Sequence, residues 1–295
     1  MPLFSLTGVG QRLRLRPWTD VLRAAWLLLL AGICLKMLLP ASASALRSLV
    51  PVAPLLPLMA KDLAHLPDAL ARSRALAAAR RWHALPAAWL PPELVGLLRL
   101  GQAQRQGVFH WLRRRPHAAL PVGQAFTYLE RGSYRTAVAI AVFCALVELP
   151  LDAAIVAVLP VADDKRQLLH VLMLAGGVSA LAWVLGDRWH VGAGCHVLNA
   201  DGLALRVGAR AEGTIPLAAI GACRHLDERV AAWCRKHGID VRRTVTVSPF
   251  DRPNVVLLLD PAHRASLRHL GRERDGLACV FLYVDRPATL LQALS

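Results

Sequence analysis

The sequence predicts an α-helical transmembrane bundle of two hairpins followed by a small α+β, mostly β domain, and three observations carry that prediction. Residues 136–160, TAVAIAVFCALVELPLDAAIVAVLP, form a 25-residue apolar run charged only at Glu148 and Asp152. Residues 168–185, LLHVLMLAGGVSALAWVL, extend for 18 residues without Lys, Arg, Asp or Glu. From residue 187 onward the apolar periodicity drops to two and short turn motifs appear. At about 1.5 Å per residue, either apolar run reaches across most or all of a hydrocarbon core of about 30 Å. The connection VADDKRQ is seven residues long, so the two arms pack antiparallel.

Composition agrees with a membrane part joined to a soluble part: 55% of the 295 residues are hydrophobic, yet 19% are charged. Four segments follow: a basic N-terminal stretch with a first membrane hairpin (1–60), a basic amphipathic helical cytoplasmic segment (61–135), the central transmembrane hairpin (136–186) and the β-domain (187–295). The formal charge of +15 is mostly arginine. In a membrane protein such an excess orients the spans and attracts anionic lipid headgroups. No basic run carries interleaved aromatics on a nucleic-acid-binding pattern, so no nucleic-acid partner is expected. The six cysteines form no C-x-x-C and imply neither a zinc site nor a disulfide framework.

In chain order, Arg12, Arg14 and Arg16 precede a first apolar run, Val21 to Leu39, which contains Arg23 and Lys36. A basic stretch, an apolar core and PASASA also fit a cleaved signal peptide. The long basic stretch and Lys36 inside the core favour a retained transmembrane helix. SLVPVAPLLPLMA (48–60) is apolar but holds Pro51, Pro54 and Pro57, which oppose a regular helix. It reads as a short second span or a re-entrant piece. Residues 61–135 then carry 12 Lys or Arg against four acids, which places them, like the N-terminus, on the cytoplasmic side. Their pattern is helical. PPELVGLLRLGQAQRQGVFHWLRRRP opens on prolines suited to a helix start and ends at Pro116. Its apolar side and its Arg113, Arg114 and Arg115 fit a helix lying among lipid headgroups, and equally a packed cytoplasmic helix. Beyond the central hairpin, CHVLNADGLALRVG reads as two strands on an Asn-Ala-Asp-Gly turn, EGTIPLAAIGACRHL as a third strand with Pro216, and residues 227–239 as a helix. RRTVTVSP, NVVLLLD and ACVFLYVD read as strands, PAHRASLRHLG as helical, and PATLLQALS as a closing helix opened by Pro287.

The run HVLNADGLALRVGARAEGTIPLAAIGAC, with its Asp-Gly turn, Leu-x-Leu-Arg strand and Ile-Pro-Leu-x-x-Ile, resembles the bacterial pleckstrin-homology-like domains found beside transmembrane helices. The ending FLYVDRPATLLQAL is similar to their last strand, Asp-x-Pro and closing helix. The likeness covers residues 188–295. It implies a small, strongly bent β-barrel or sandwich capped by the C-terminal helix in a bacterial membrane protein, and the charge asymmetry around the spans puts that domain on the cytoplasmic side of the inner membrane. The likeness carries over no catalytic residue, and the helix at 227–239 departs from the compact pattern.

Glu148 and Asp152 share one helix face around Pro150, which removes a backbone donor inside the span. An ionised acid at the bilayer centre costs about 2.5–3.5 kcal/mol on insertion scales. Counting inward from the short connection places Gly176, Gly177 and Ser179 opposite them. Lys36 is the expected partner: at 1.5 Å per residue it lies roughly 22 Å beyond the start of its run, and the two acids roughly 18 and 24 Å beyond the start of theirs. Lys36, Glu148, Asp152 and Ser179 therefore make one intramembrane polar cluster, either a structural clamp or an ion or proton site. VGAGCH lacks the third glycine and the strand–helix setting of a nucleotide loop, and His225 and His237 do not make a metal motif. No cofactor is expected. The sequence thus reads as a non-enzymatic membrane anchor with an interaction domain whose partners are anionic lipid and a protein. The alternative is a small transporter or intramembrane enzyme that uses Glu148 and Asp152.

Overall fold

A computed structural model describes residues 13, 16, 18–38, 50, 52–82, 85–117, 119–158, 160 and 162–295. Arg12, Arg14, the PASASA segment and Pro51 lie outside them. The chain divides into two compact units, residues 1–95 and 96–295.

In the first unit, α1 (Trp18–Leu38) packs against α2 (Leu55–Ala78), and a short α3 (Leu85–Trp89) follows. The apolar piece at 55–60 is not a helix of its own, and residues 48, 49 and 51 of the same stretch lie outside the described residues. Pro54 is the N-cap and Pro57 falls in the first turn, where a missing N–H costs little, so one helix runs from Leu55 across residue 60 into the basic segment. Lys61, inside that helix, is 1% exposed. Its ammonium donates to the carbonyls of Leu13 and Arg16 and faces the Trp18 ring at 5.8 Å. One positive charge counted toward topology is thus buried and hydrogen-bonded to backbone carbonyls. Arg72 likewise donates to the Ala88 carbonyl, 2.9 Å from Nη2, and ties α2 to α3.

The second unit opens with the greater part of α4 (Pro92–Leu112). A strand, β1 (Gln124–Thr127), follows in a segment whose pattern reads as helical. Then come the long helices α5 (Tyr134–Val158) and α6 (Asp163–Val191), the predicted antiparallel hairpin. They are the helices, among the described residues, that are long and apolar enough to cross a membrane, with mean hydropathies of 2.2 and 2.1. The arms approach closely at Gly177, where a Cβ would lie 2.5 Å from a methyl of Leu149, whereas at Gly176 a Cβ would meet open space. The close contact expected of both glycines is made by Gly177.

After α6 the chain forms β2 (Cys195–Leu198), β3 (Leu203–Val207), β4 (Ala211–Ile215), β5 (Ile220–His225), α7 (Val230–Lys236), β6 (Thr244–Val247), β7 (Val255–Leu259), β8 (Leu267–His269), β9 (Arg272–Arg274), β10 (Cys279–Leu282) and α8 (Pro287–Ala293). One sheet has the order β1-β2-β3-β4-β8-β9 and the other β5-β7-β10-β6. β1 pairs antiparallel with β2, Phe126 opposite His196, so the entire hairpin is inserted between two adjacent strands of one sheet. The predicted third strand is in fact two, β4 and β5, which belong to different sheets and are separated by Pro216 and a short 3-10 turn at Leu217–Ala219. PAHRASLRHLG is not helical: it holds β8 and a turn at Leu270 and Gly271, with φ of 51° and 75°. In the Asn199–Gly202 turn the Asn199 carboxamide accepts the N–H groups of Asp201 and Gly202. A side chain at residue 202 would run into the Ile215 carbonyl.

The main core includes Leu203, Leu205, Val207, Val245, Val247, Leu257, Val280, Leu282 and Leu290 of the closing helix. A second cluster, Trp233 and Cys234 of α7 against Val256, Cys279 and Phe281, covers the other face of the four-stranded sheet. Burial on both faces explains why β7 and β10 read as unbroken apolar runs rather than as alternating strands.

Candidate functional site

The polar centre of the second unit is at the base of the hairpin. Asp187, in the last turns of α6, is buried. One of its carboxylate oxygens accepts from Gln104 Nε2 of α4 at 3.0 Å; the other accepts from the Tyr134 hydroxyl at the start of α5 (2.9 Å) and from Arg210 Nη2 at the β3–β4 turn (3.0 Å). Arg210 Nη1 donates to the Pro249 carbonyl at 2.7 Å, and its guanidinium lies 4.9 Å from the centre of the Phe250 ring. Three other segments of the chain thus converge on one carboxylate. Local packing supports the convergence. A Cβ at Gly186 would lie 2.1 Å from the Gln104 carbonyl and one at Gly107 would lie 2.7 Å from the Gly186 carbonyl, so the α4–α6 crossing needs glycine on both helices. An apolar cleft of about 150 Å³, lined by Ala137, Val138, Ala141, Trp183, Val184 and Phe250, opens on the Asp187–Arg210 pair. Every oxygen lobe of Asp187 that the structure engages faces a donor, so the arrangement locks α4, α5 and α6 to the sheet.

The neighbouring peptide is held the same way. The buried Asp285 carboxylate accepts from the N–H groups of Glu130 and Arg131, both at 2.9 Å, and Asp251 accepts from that of Ser133 at 2.8 Å. The turn between β1 and α5 is therefore fixed by acids from two later loops.

The residues singled out from sequence are placed elsewhere. Glu148 is exposed, Asp152 half-buried, and Ser179 exposed with its hydroxyl donating to the Ala175 carbonyl of its own helix at 2.6 Å. Lys36 belongs to the first unit and the two acids to the second; their pairing stands as a proposal. Arg113, Arg114 and Arg115 are exposed at the end of α4. Beside them Trp189 donates to the Arg115 carbonyl at 3.4 Å and packs between His110 and His117. α4 buries Gly96, Leu100, Gln104 and Gly107 and leaves Leu94, Leu97, Leu98, Phe109 and Leu112 exposed. All six cysteines are free; burial pushes the thiols of Cys223 and Cys279 up to about 11. Burial also lowers His196 to about 4. Sequence reasoning passed over Asp187 and Arg210. The available signal was a charged pair, Asp187–Arg188, placed at the end of an uncharged 18-residue run.

This geometry defines a class of chain: an apolar helical hairpin set into, and locked onto, a two-sheet domain. Comparison with protein-family models, curated proteins and solved structures gives no match.

Proposed function

We propose that this chain is a multi-pass protein of the bacterial inner membrane that carries a cytoplasmic, PH-like interaction domain, and that it acts as a non-enzymatic anchor for a protein partner at an anionic lipid surface. The observation that carries the reading is the exposure of the hairpin. Only 6% of the apolar window of α5, and none of that of α6, is buried within the chain. A core helix of a soluble protein would be covered, and a signal sequence would stand at the N-terminus; this hairpin does neither. Two packed sheets closed by α8 support the resemblance to PH-like domains. The exposed apolar side of α4, ending at Arg113–Arg115, supports its placement among headgroups. The excess of Lys and Arg flanking the spans supports a cytoplasmic N-terminus, basic segment and β-domain, with the residues around Asp163–Arg166 outside. The test is topology. Reporter fusions at Arg115 and Ser295 are both expected to read cytoplasm, and the chain is expected to resist alkaline carbonate extraction. A periplasmic signal at either position overturns the orientation.

A further inference from the structure

Arg206 and Arg210 flank the β3–β4 turn and have opposite surroundings. Arg210 is met by Asp187 and the Pro249 carbonyl. Arg206 is half-buried and, among the described residues, its guanidinium has neither a hydrogen bond nor an ion pair. A charge partly removed from water without a counter-group is costly unless a ligand supplies one. Arg206 lines a pocket of about 270 Å³ together with His117, Leu120, His190, Gly192 and Cys195. No carboxylate lines it. Cys195, which lines the same pocket as Arg206, has its thiol pushed up by burial and so brings no negative charge. His190 Nε2 donates to the Ala103 carbonyl at 2.8 Å and burial lowers the ring's pKa, so His190 shapes the rim and leaves Arg206 as the donor to an anion. The exposed run Arg113–Arg115 leads directly into His117, so the approach to the pocket is basic as well.

Depth identifies the source of the anion. α6 is 29 residues long, about 43 Å at about 1.5 Å per residue, against a hydrocarbon core of about 30 Å. With Asp163–Arg166 at the outer surface, the last turns of α6, and the pocket beyond them, fall at the level of the inner headgroups. We propose that this pocket holds the phosphate of an anionic membrane lipid, with Arg206 as its main donor and His117 and His190 at its rim. The volume lies just below the roughly 300–1,000 Å³ of small-molecule sites. That is room for a headgroup phosphate, while the acyl chains remain in the bilayer. The proposal rests on the reading of α5 and α6 as membrane spans.

The test uses the full chain purified in mild detergent, with native mass spectrometry to count retained phosphatidylglycerol against phosphatidylcholine. The wild type is expected to prefer phosphatidylglycerol, Arg206→Gln to weaken that retention about tenfold, Arg206→Lys to keep part of it, and the exposed-site control Arg264→Gln to match the wild type. Equal retention by Arg206→Gln and the wild type overturns the proposal. So does a wild type without a phosphatidylglycerol preference, which decides the matter even if Arg206→Gln fails to fold. Inorganic phosphate that displaces phosphatidylglycerol and thermally stabilises the lipid-free wild type but not Arg206→Gln assigns the pocket to free phosphate and overturns the lipid assignment. A chain released by alkaline carbonate overturns the membrane reading itself; a carbonate-resistant chain without lipid preference removes the pocket alone.

Discussion

Asp187 and the pair Glu148 and Asp152 are carboxylates of the same helical hairpin, with contrasting environments. At the base, Asp187 accepts from an amide, a phenol and a guanidinium supplied by three other segments. Along the arm, Glu148 is exposed, Asp152 half-buried, and among the described residues of their own unit no donor meets either. The difference teaches that an acid's place in an apolar run does not decide its role. What decides is whether the surrounding fold brings donors to it. Asp187 holds the hairpin to the domain; the fold of the second unit gives the mid-arm acids no such role.

The largest effect that would sharpen this contrast is at Asp187. Asp187→Ala strands the mostly buried Arg210, whose side chain is 18% exposed, and loss of one partner of such a pair costs about 3–5 kcal/mol. Thermal unfolding of the detergent-solubilised chain is expected to shift accordingly, and Asp187→Leu with Arg210→Met to recover much of the loss. An unshifted melting curve for Asp187→Ala would remove the lock. The contrast breaks if Lys36 supplies what Glu148 and Asp152 lack. The proposed pairing predicts that Lys36→Leu lowers folded yield in detergent by a comparable amount, and that adding Glu148→Leu and Asp152→Leu restores it. Strict additivity would leave the two acids to a wet cavity or to each other, and favour transport.

A third prediction concerns His196, opposite Phe126 where the hairpin re-enters the sheet. Burial lowers its folded pKa to about 4, below the usual value near 6.5. Between those values the unfolded chain binds the extra proton, so stability is complete above about pH 6.5 and falls as pH drops toward 4. The drop attributable to His196 is on the order of 3 kcal/mol. His269, also lowered to about 4 by burial, adds to the same slope. His196→Asn, with an oxygen to accept the Arg206 N–H now bound by Nδ1 at 3.2 Å, is expected to flatten part of the slope in chemical denaturation measured across that range. The smallest effect is at the helix crossing. Gly186→Ala forces a methyl against the Gln104 backbone and is expected to destabilise by about 1–3 kcal/mol. A change in the α4–α6 contact without loss of stability would show that the crossing can relax.

The hairpin was legible because a 25-residue apolar run and its 18-residue return need no partner to be recognised. Strands β2 and β3 were legible for a local reason as well: an Asn-Ala-Asp-Gly turn joins them. β1 was not, since QAFT is four residues long and its pairing with Cys195–Leu198 is entirely non-local. Residues 261–271 looked helical because Ala, Arg and Leu are good helix formers. Pairing of β8 with β4 overrode that preference, Arg268 opposite Glu212. The candidate site was invisible for the same reason as β1. Gln104, Tyr134, Asp187 and Arg210 are each unremarkable in sequence and acquire a role only when four segments meet.

Insertion of the hairpin between β1 and β2 also sets an order of assembly during synthesis. β1 leaves the ribosome several seconds before its partner strand, at about 5–20 residues per second. Until then its edge is open. Closing so long a loop from a random chain is unfavourable, but packed antiparallel helices hold their ends about 8–10 Å apart and so present Thr127 and Cys195 to each other. Helix pairing therefore lowers the cost of forming the β1–β2 ladder. The clamp of Asp285 on Glu130 and Arg131 comes last, which makes the finished domain a report that the hairpin has already formed.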